Sequence, residues 1–119
     1  MIEKIKNENV DYLFKAIKSL ENIEEFYKFF DDICTVAEVS EMSKRLQAAK
    51  MLKDGVVYSE VSVKTGLSTA TISRVNRCLK YGSDGYNIVL ERLDKLDELD
   101  KLEKPEKPEK TKGGGNNKK

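Results

Sequence analysis

Ala70, Ser73, Arg74 and Arg77 stand at positions i, i+3, i+4 and i+7. On a helix that turns about 100° per residue they gather on one side, while Ile72, Val75 and Leu79 gather on nearly the opposite one. The spacing predicts a helix over 68–81 with one greasy face for anchoring and one face of small, hydroxyl and guanidinium groups. Those outward groups suit the major groove of a nucleic acid. A small residue lets the backbone come close, hydroxyls reach phosphates or base edges, and an arginine can hold guanine O6 and N7 with two parallel hydrogen bonds. Ser68 is a good N-cap, and the free amides and dipole of the helix start favour phosphate there, with Thr69 and Thr71 flanking that end. Lys64 and Lys80 are placed for phosphates rather than base edges. A helical hairpin that never meets DNA could carry the same apolar seam; the outward arginines and the surrounding charge are what argue for an interface.

The segment that must position this helix, residues 58–80, reads YSEVSVKTGLSTATISRVNRCLK. A short helix from Ser59 to Thr65 would present Val61 to the interior, Gly66 would make a tight turn that a bulkier residue resists, and Leu67 would enter the core between the two helices. Ser62 stands where such helix-turn-helix motifs usually carry alanine and is small enough to pack.

Upstream, Val10, Leu13, Phe14, Ile17 and Leu20 form one helical stripe, over about 8–20, and Ile23, Phe26, Tyr27, Phe30 and Ile33 form a second. Thr35 and Glu38 make a capping box that opens a third helix, with Val39, Met42, Leu46, Ala49 and Leu52 as its stripe and Gly55 as its stop. All three stripes are expected to be core. Three amphipathic helices and a small reading head make a thin core for one chain, which points to pairing with a second copy. After Tyr81-Gly82, Ser83 or Asp84 is the expected N-cap of a last helix marked by Tyr86, Val89, Leu90 and Leu93. Leu96, Leu99 and Leu102 continue it as a fraying extension among alternating charges. From Glu103 the EKPEKPEK and TKGGGNNKK stretches have no apolar residue and are expected to be disordered. The chain thus divides into a helical domain over 1–93 and a charged tail over 94–119.

The net charge of +1 hides opposed blocks. Residues 1–43 hold five basic and ten acidic side chains, whereas residues 44–82 hold eight basic against two acidic ones. A basic middle between acidic flanks is the electrostatic footprint of one surface that meets a polyanion. The chain has no histidine, and it lacks a metal-ligand cluster, a GxSxG, a P-loop and a GxGxxG, so no enzyme, metal or cofactor is expected. Cys34 and Cys78 lie inside apolar helical patterns and not in a CxxC pair, which fits a reducing cytoplasm. No apolar run is long enough for a membrane span, and the first residues lack the apolar region of a signal peptide.

The stretch from Thr35 to Leu93 resembles the Trp repressor superfamily, and especially its YerC/YecD-type branch. The resemblance is most specific in MSKRLQAAKMLKDG (42–55), in TATISRVNRCLK (69–80) and in the YGxxGY-like segment Tyr81-Gly82-Ser83-Asp84-Gly85-Tyr86. It implies an all-α, six-helix fold that forms an intertwined homodimer through its amino-terminal helices and sets two recognition helices in successive major grooves, roughly 34 Å apart. It further implies a corepressor pocket between the third helix and the recognition helix, in which Arg45 and Arg74 match two gripping arginines and Thr35 matches a threonine at the rim. Val75 stands where that pocket has a glycine that makes room for an indole, and Cys78 replaces a serine hydroxyl, so tryptophan fits poorly and the existence of any effector stays open. Arg45 can equally touch phosphate or anchor acidic neighbours, and Arg74 can contact a base or a ligand.

The reading with most support is therefore a homodimeric regulator of transcription, a repressor rather than an activator, which binds a palindromic site on double-stranded DNA. An adaptor that uses the acidic first helices or the charged tail to bind another protein is the alternative.

Overall fold

A computed structural model of the chain describes residues 2–103, so the expected disorder beyond Glu103 lies outside the described residues. Among these residues there are six α-helices and one short 3₁₀ turn (Ile2–Lys4), with no strand: α1 (Glu8–Lys18), α2 (Ile23–Ile33), α3 (Val36–Lys53), α4 (Tyr58–Thr65), α5 (Thr69–Tyr81) and α6 (Gly85–Glu103). The chain divides into two compact units, one ending at Tyr86 and the other beginning at Asn87. In the second unit α6 continues through Leu96, Leu99 and Leu102, all exposed, while Leu90 is buried.

Local polar chemistry sets the helix starts. Asn7 and Asn22 accept the N–H groups of Val10 and Glu25, both at 2.9 Å. Thr35 and Glu38 close the expected capping box: the Thr35 hydroxyl accepts the Glu38 N–H at 3.0 Å, and the Glu38 carboxylate accepts the Thr35 N–H at 2.8 Å. At the far end of α3 Gly55 has φ +88°, the left-handed geometry expected after the last turn. Asp84, at the expected cap position before α6, has φ +70°.

Close packing between helices in the first unit is confined to α3, α4 and α5. Ala48, Val61, Leu67 and Ile72 form the core of this head, with Met51, Leu52 and Val56 against it. The small Ala48 and Ala49 let the carboxyl-terminal half of α3 come close to its neighbours. The amino-terminal half behaves differently, because Val39 and Met42 of the same stripe are exposed.

The expectation that the first two stripes are core is not met within one chain. Neither α1 nor α2 buries a residue, and Phe14, Ile23 and Tyr27 are 52%, 69% and 75% exposed. The apolar side chains of α1, α2 and the first half of α3 instead line two open grooves. One, of about 910 Å³, runs along Ile23, Phe26, Tyr27, Phe30, Val39 and Leu46; the other, of about 870 Å³, runs along Leu13, Phe14, Ile17, Phe29, Ile33 and Met42.

Candidate nucleic-acid interface

The turn between α4 and α5 is tied by its own hydroxyls. Gly66 has φ +79°, and its N–H donates to the Ser62 carbonyl at 2.8 Å. Ser62 donates from its hydroxyl to the Leu67 carbonyl at 2.8 Å, so the serine in the usual alanine position satisfies a backbone acceptor that would otherwise be left in a partly buried turn. The buried Thr65 hydroxyl donates to the Val61 carbonyl at 2.7 Å and accepts the Leu67 N–H at 3.2 Å. Leu67 is thereby driven into the core, where it joins Ile72 from α5. This fixes the rotation of α5: Ile72 and Val75 point inward and Leu79 is half-buried.

The outward side of α5 follows. Ala70, Arg74, Arg77 and Lys80 are exposed, and Ser73 is half-buried beside them. Among the described residues none of Arg74, Arg77 and Lys80 has an acidic partner within ion-pair distance, so their charge is available to an external anion. Ser68 and Thr71 are already occupied with each other. The Ser68 hydroxyl accepts the Thr71 N–H at 3.2 Å and donates to the Thr71 hydroxyl at 3.1 Å. Their first role is to cap the helix; Thr69, exposed at its first turn, has no such tie among the described residues. Lys64 lies 3.3 Å from the Glu60 carboxylate, so it presents a partly neutralised charge, unlike Lys80.

Neither of the two grooves gathers the residues matched to a ligand pocket. Thr35 lines the first groove with its hydroxyl engaged in the capping box, Arg45 lines the second, and Arg74 lines neither. Val75, at the position matched to a glycine, is 2% exposed and so fills interior space. Arg45 and Arg74 both act electrostatically on one residue that spacing along the chain gave no means of finding, Tyr86 at the start of α6. Partial burial raises the Tyr86 phenol above its usual range, and this outweighs the opposite pull of Arg45 and Arg74; the Cys78 thiol adds to the rise.

An all-helical chain whose α4 and α5 form a tied helix-turn-helix with a cationic outer face is defined as a helix-turn-helix protein. The sequence pattern of the Trp repressor protein family matches residues 8–94, and the chain belongs to that family, which is a family of DNA-binding regulators. The YerC protein of Bacillus subtilis, described as uncharacterized, is 46% identical over 92 residues, covering 77% of this chain and 88% of YerC. A crystal structure of a candidate Trp repressor from Staphylococcus aureus is 51% identical and superimposes with a TM-score of 0.74, over 79% of this chain and 94% of the other. The crystal structure of a TrpR-like protein from Eubacterium eligens is likewise 51% identical, with a TM-score of 0.74 over 77% of this chain and 95% of the other.

Proposed function

We propose that the protein is a homodimeric, sequence-specific DNA-binding regulator that acts in the cytoplasm as a repressor, covering a palindromic operator. The observation that carries this reading is the two-sided α5: Ile72 and Val75 anchor it in the head, while Ala70, Ser73, Arg74, Arg77 and Lys80 face outward or border that face. Ala70 lets the helix approach the groove, Ser73 and Arg77 read base edges, and Thr69 and Lys80 hold phosphates at the two ends of the helix. The cap formed by Ser68 and Thr71 fixes the start of α5, where the remaining amino-terminal amides favour a phosphate.

The second copy is supported by the open grooves. Isolated helices of 11 residues are marginal in water, and α1 and α2 gain no buried side chain from their own chain. A second copy of the same helices offers matching apolar ridges and brings a second α5, so that two half-sites about one helical turn apart can be read together. The −5 charge of residues 1–43 and the same grooves would also suit an adaptor that binds a different protein; that reading expects a stoichiometric foreign partner and no salt-dependent retention on DNA. No described helix is long and apolar enough to cross a membrane. Val75, buried at the position matched to a glycine, speaks against an indole as effector.

The direct test replaces Ser73 and Arg77 by alanine, singly and together, and measures affinity for a selected duplex. Removing one base-reading side chain is expected to cost about 1–3 kcal/mol at its own base pair, whereas Lys80→Ala is expected to weaken all sequences alike and to flatten the salt dependence. Unchanged affinity in the double variant would contradict the assignment.

A further inference from the structure

The outward row of α5 does not end at Arg77. Ala70, Arg74, Arg77 and Tyr81 stand at i, i+4, i+7 and i+11, and eleven residues at about 100° each bring Tyr81 back to within about 20° of the direction of Ala70. Tyr81 is the last residue of the helix and is 82% exposed. Among the described residues its phenol has no hydrogen-bond partner and its ring no aromatic neighbour. An aromatic side chain held this far into water adds nothing to the core of the head, and its hydroxyl keeps both a donor and an acceptor for something outside the chain.

The turn that follows leaves that side chain uncovered. The Gly82 N–H closes the last turn on the Cys78 carbonyl at 2.9 Å, and a Cβ on Gly82 would lie 2.5 Å from the same oxygen. A larger residue would have to open the turn, because the atom it meets is backbone. Gly82 therefore ends α5 directly after Tyr81 and brings no side chain beside the ring, and residues 82–85 are all exposed.

Register and length decide what the phenol can reach. Around the helix Lys80 lies about 60° to one side of Arg77 and Tyr81 about 40° to the other, so the two flank the arginine assigned to a base edge. At about 1.5 Å per residue Tyr81 stands about 16 Å along the axis from Ala70, more than the width of about 12 Å of the major groove. With the first turns of α5 in the groove, its last residue is at the wall, where phosphates rather than base edges are presented.

We propose that Tyr81 is a phosphate contact at the carboxyl-terminal end of the recognition helix: its hydroxyl donates to a phosphate oxygen on the wall of the groove opposite to the one that Lys80 meets. This inference rests on the reading of α5 as the DNA-facing helix. The two contacts differ in kind. Lysine brings a charge that displaces counterions from the duplex; the tyrosine hydroxyl brings a directed hydrogen bond and no charge, so it fixes how the helix sits without adding to the salt dependence.

The test measures the affinity of the full chain for the selected duplex and for one of unrelated sequence, over a range of salt concentrations. Tyr81→Phe removes only the hydroxyl. It is expected to weaken both duplexes by the same factor, roughly tenfold, as for loss of a hydrogen bond to a charged group, with the salt slope and the melting temperature unchanged. Lys80→Ala, by contrast, is expected to flatten the slope. When Tyr81→Phe is combined with an uncharged methylphosphonate at single backbone positions of the selected duplex, one phosphate in each half-site is expected at which the two losses do not add. Parent-like affinity in Tyr81→Phe overturns the contact. A loss confined to the selected duplex overturns it as well, since it would make Tyr81 a base reader, and so do losses that add at every phosphate. If the parent chain shows no salt-dependent retention on either duplex, the DNA reading itself fails; if the parent binds and responds to Ser73→Ala and Arg77→Ala while Tyr81→Phe matches the parent, this inference alone falls.

Discussion

The head formed by α3, α4 and α5 and the arm formed by α1 and α2 end in opposite states, although the two helices of the arm are the more strongly amphipathic. The head closes a core of its own around Ala48, Val61, Leu67 and Ile72, whereas the arm leaves Phe14, Ile23 and Tyr27 in the open. The difference is not one of helix quality, since α1 and α2 have side-chain caps as good as that of α5. What separates them is who supplies the other side. Small residues in α3 and a tied turn bring α4 and α5 into contact within one chain, and nothing comparable among the described residues covers the arm. On the proposed reading, a reading head that is finished alone and an arm finished by a second copy would make binding to a two-fold site depend on concentration.

The comparison can be broken first at the head. Ile72→Ala removes a fully buried side chain from a core of few residues and is expected to cost about 2–5 kcal/mol, seen as a lower denaturant midpoint. If it cost no more than a surface change, Ile72 would not be part of a core that holds the head together. Next comes the arm. Phe30 lines both grooves, and Phe30→Asp is expected to remove about 2 kcal/mol or more from the proposed self-association, read by sedimentation equilibrium as a shift toward monomer relative to the parent chain. An unchanged dimer would show that the grooves are not its interface. The smallest effect belongs to the turn. A Cβ at Gly66 would meet nothing within 4 Å, so Gly66→Ala adds only the strain of φ +79°, about 1–2 kcal/mol in thermal unfolding; a much larger loss would reveal a close approach that the turn lacks.

Much of the head is legible in the sequence because its signals are local. The Thr35 and Glu38 box, Gly55, Gly66 and the Ser68 cap each act within a few residues, and the two faces of α5 follow from spacing alone. The arm departs from its pattern for a physical reason: a stripe of apolar residues announces that a face will be covered, not that its own chain will cover it. The stripe of α3 divides in the same way, since Val39 and Met42 serve the grooves and Ala49 serves the head. In the sequence Ser62 is only a tolerated departure, and it takes the turn geometry to bring its hydroxyl to the Leu67 carbonyl. The neighbourhood of Tyr86, Arg74 and Arg45 joins residues far apart in the chain, beyond the reach of any helical period.

The most direct measurement is selection of bound sequences from random duplex DNA by the purified full chain, with and without tryptophan. A two-fold symmetric consensus is expected, with half-sites about one helical turn apart, abolished when Arg77 and Ser73 are replaced by alanine and indifferent to tryptophan. Failure to enrich any sequence, with retention on DNA that does not respond to salt, would contradict the account.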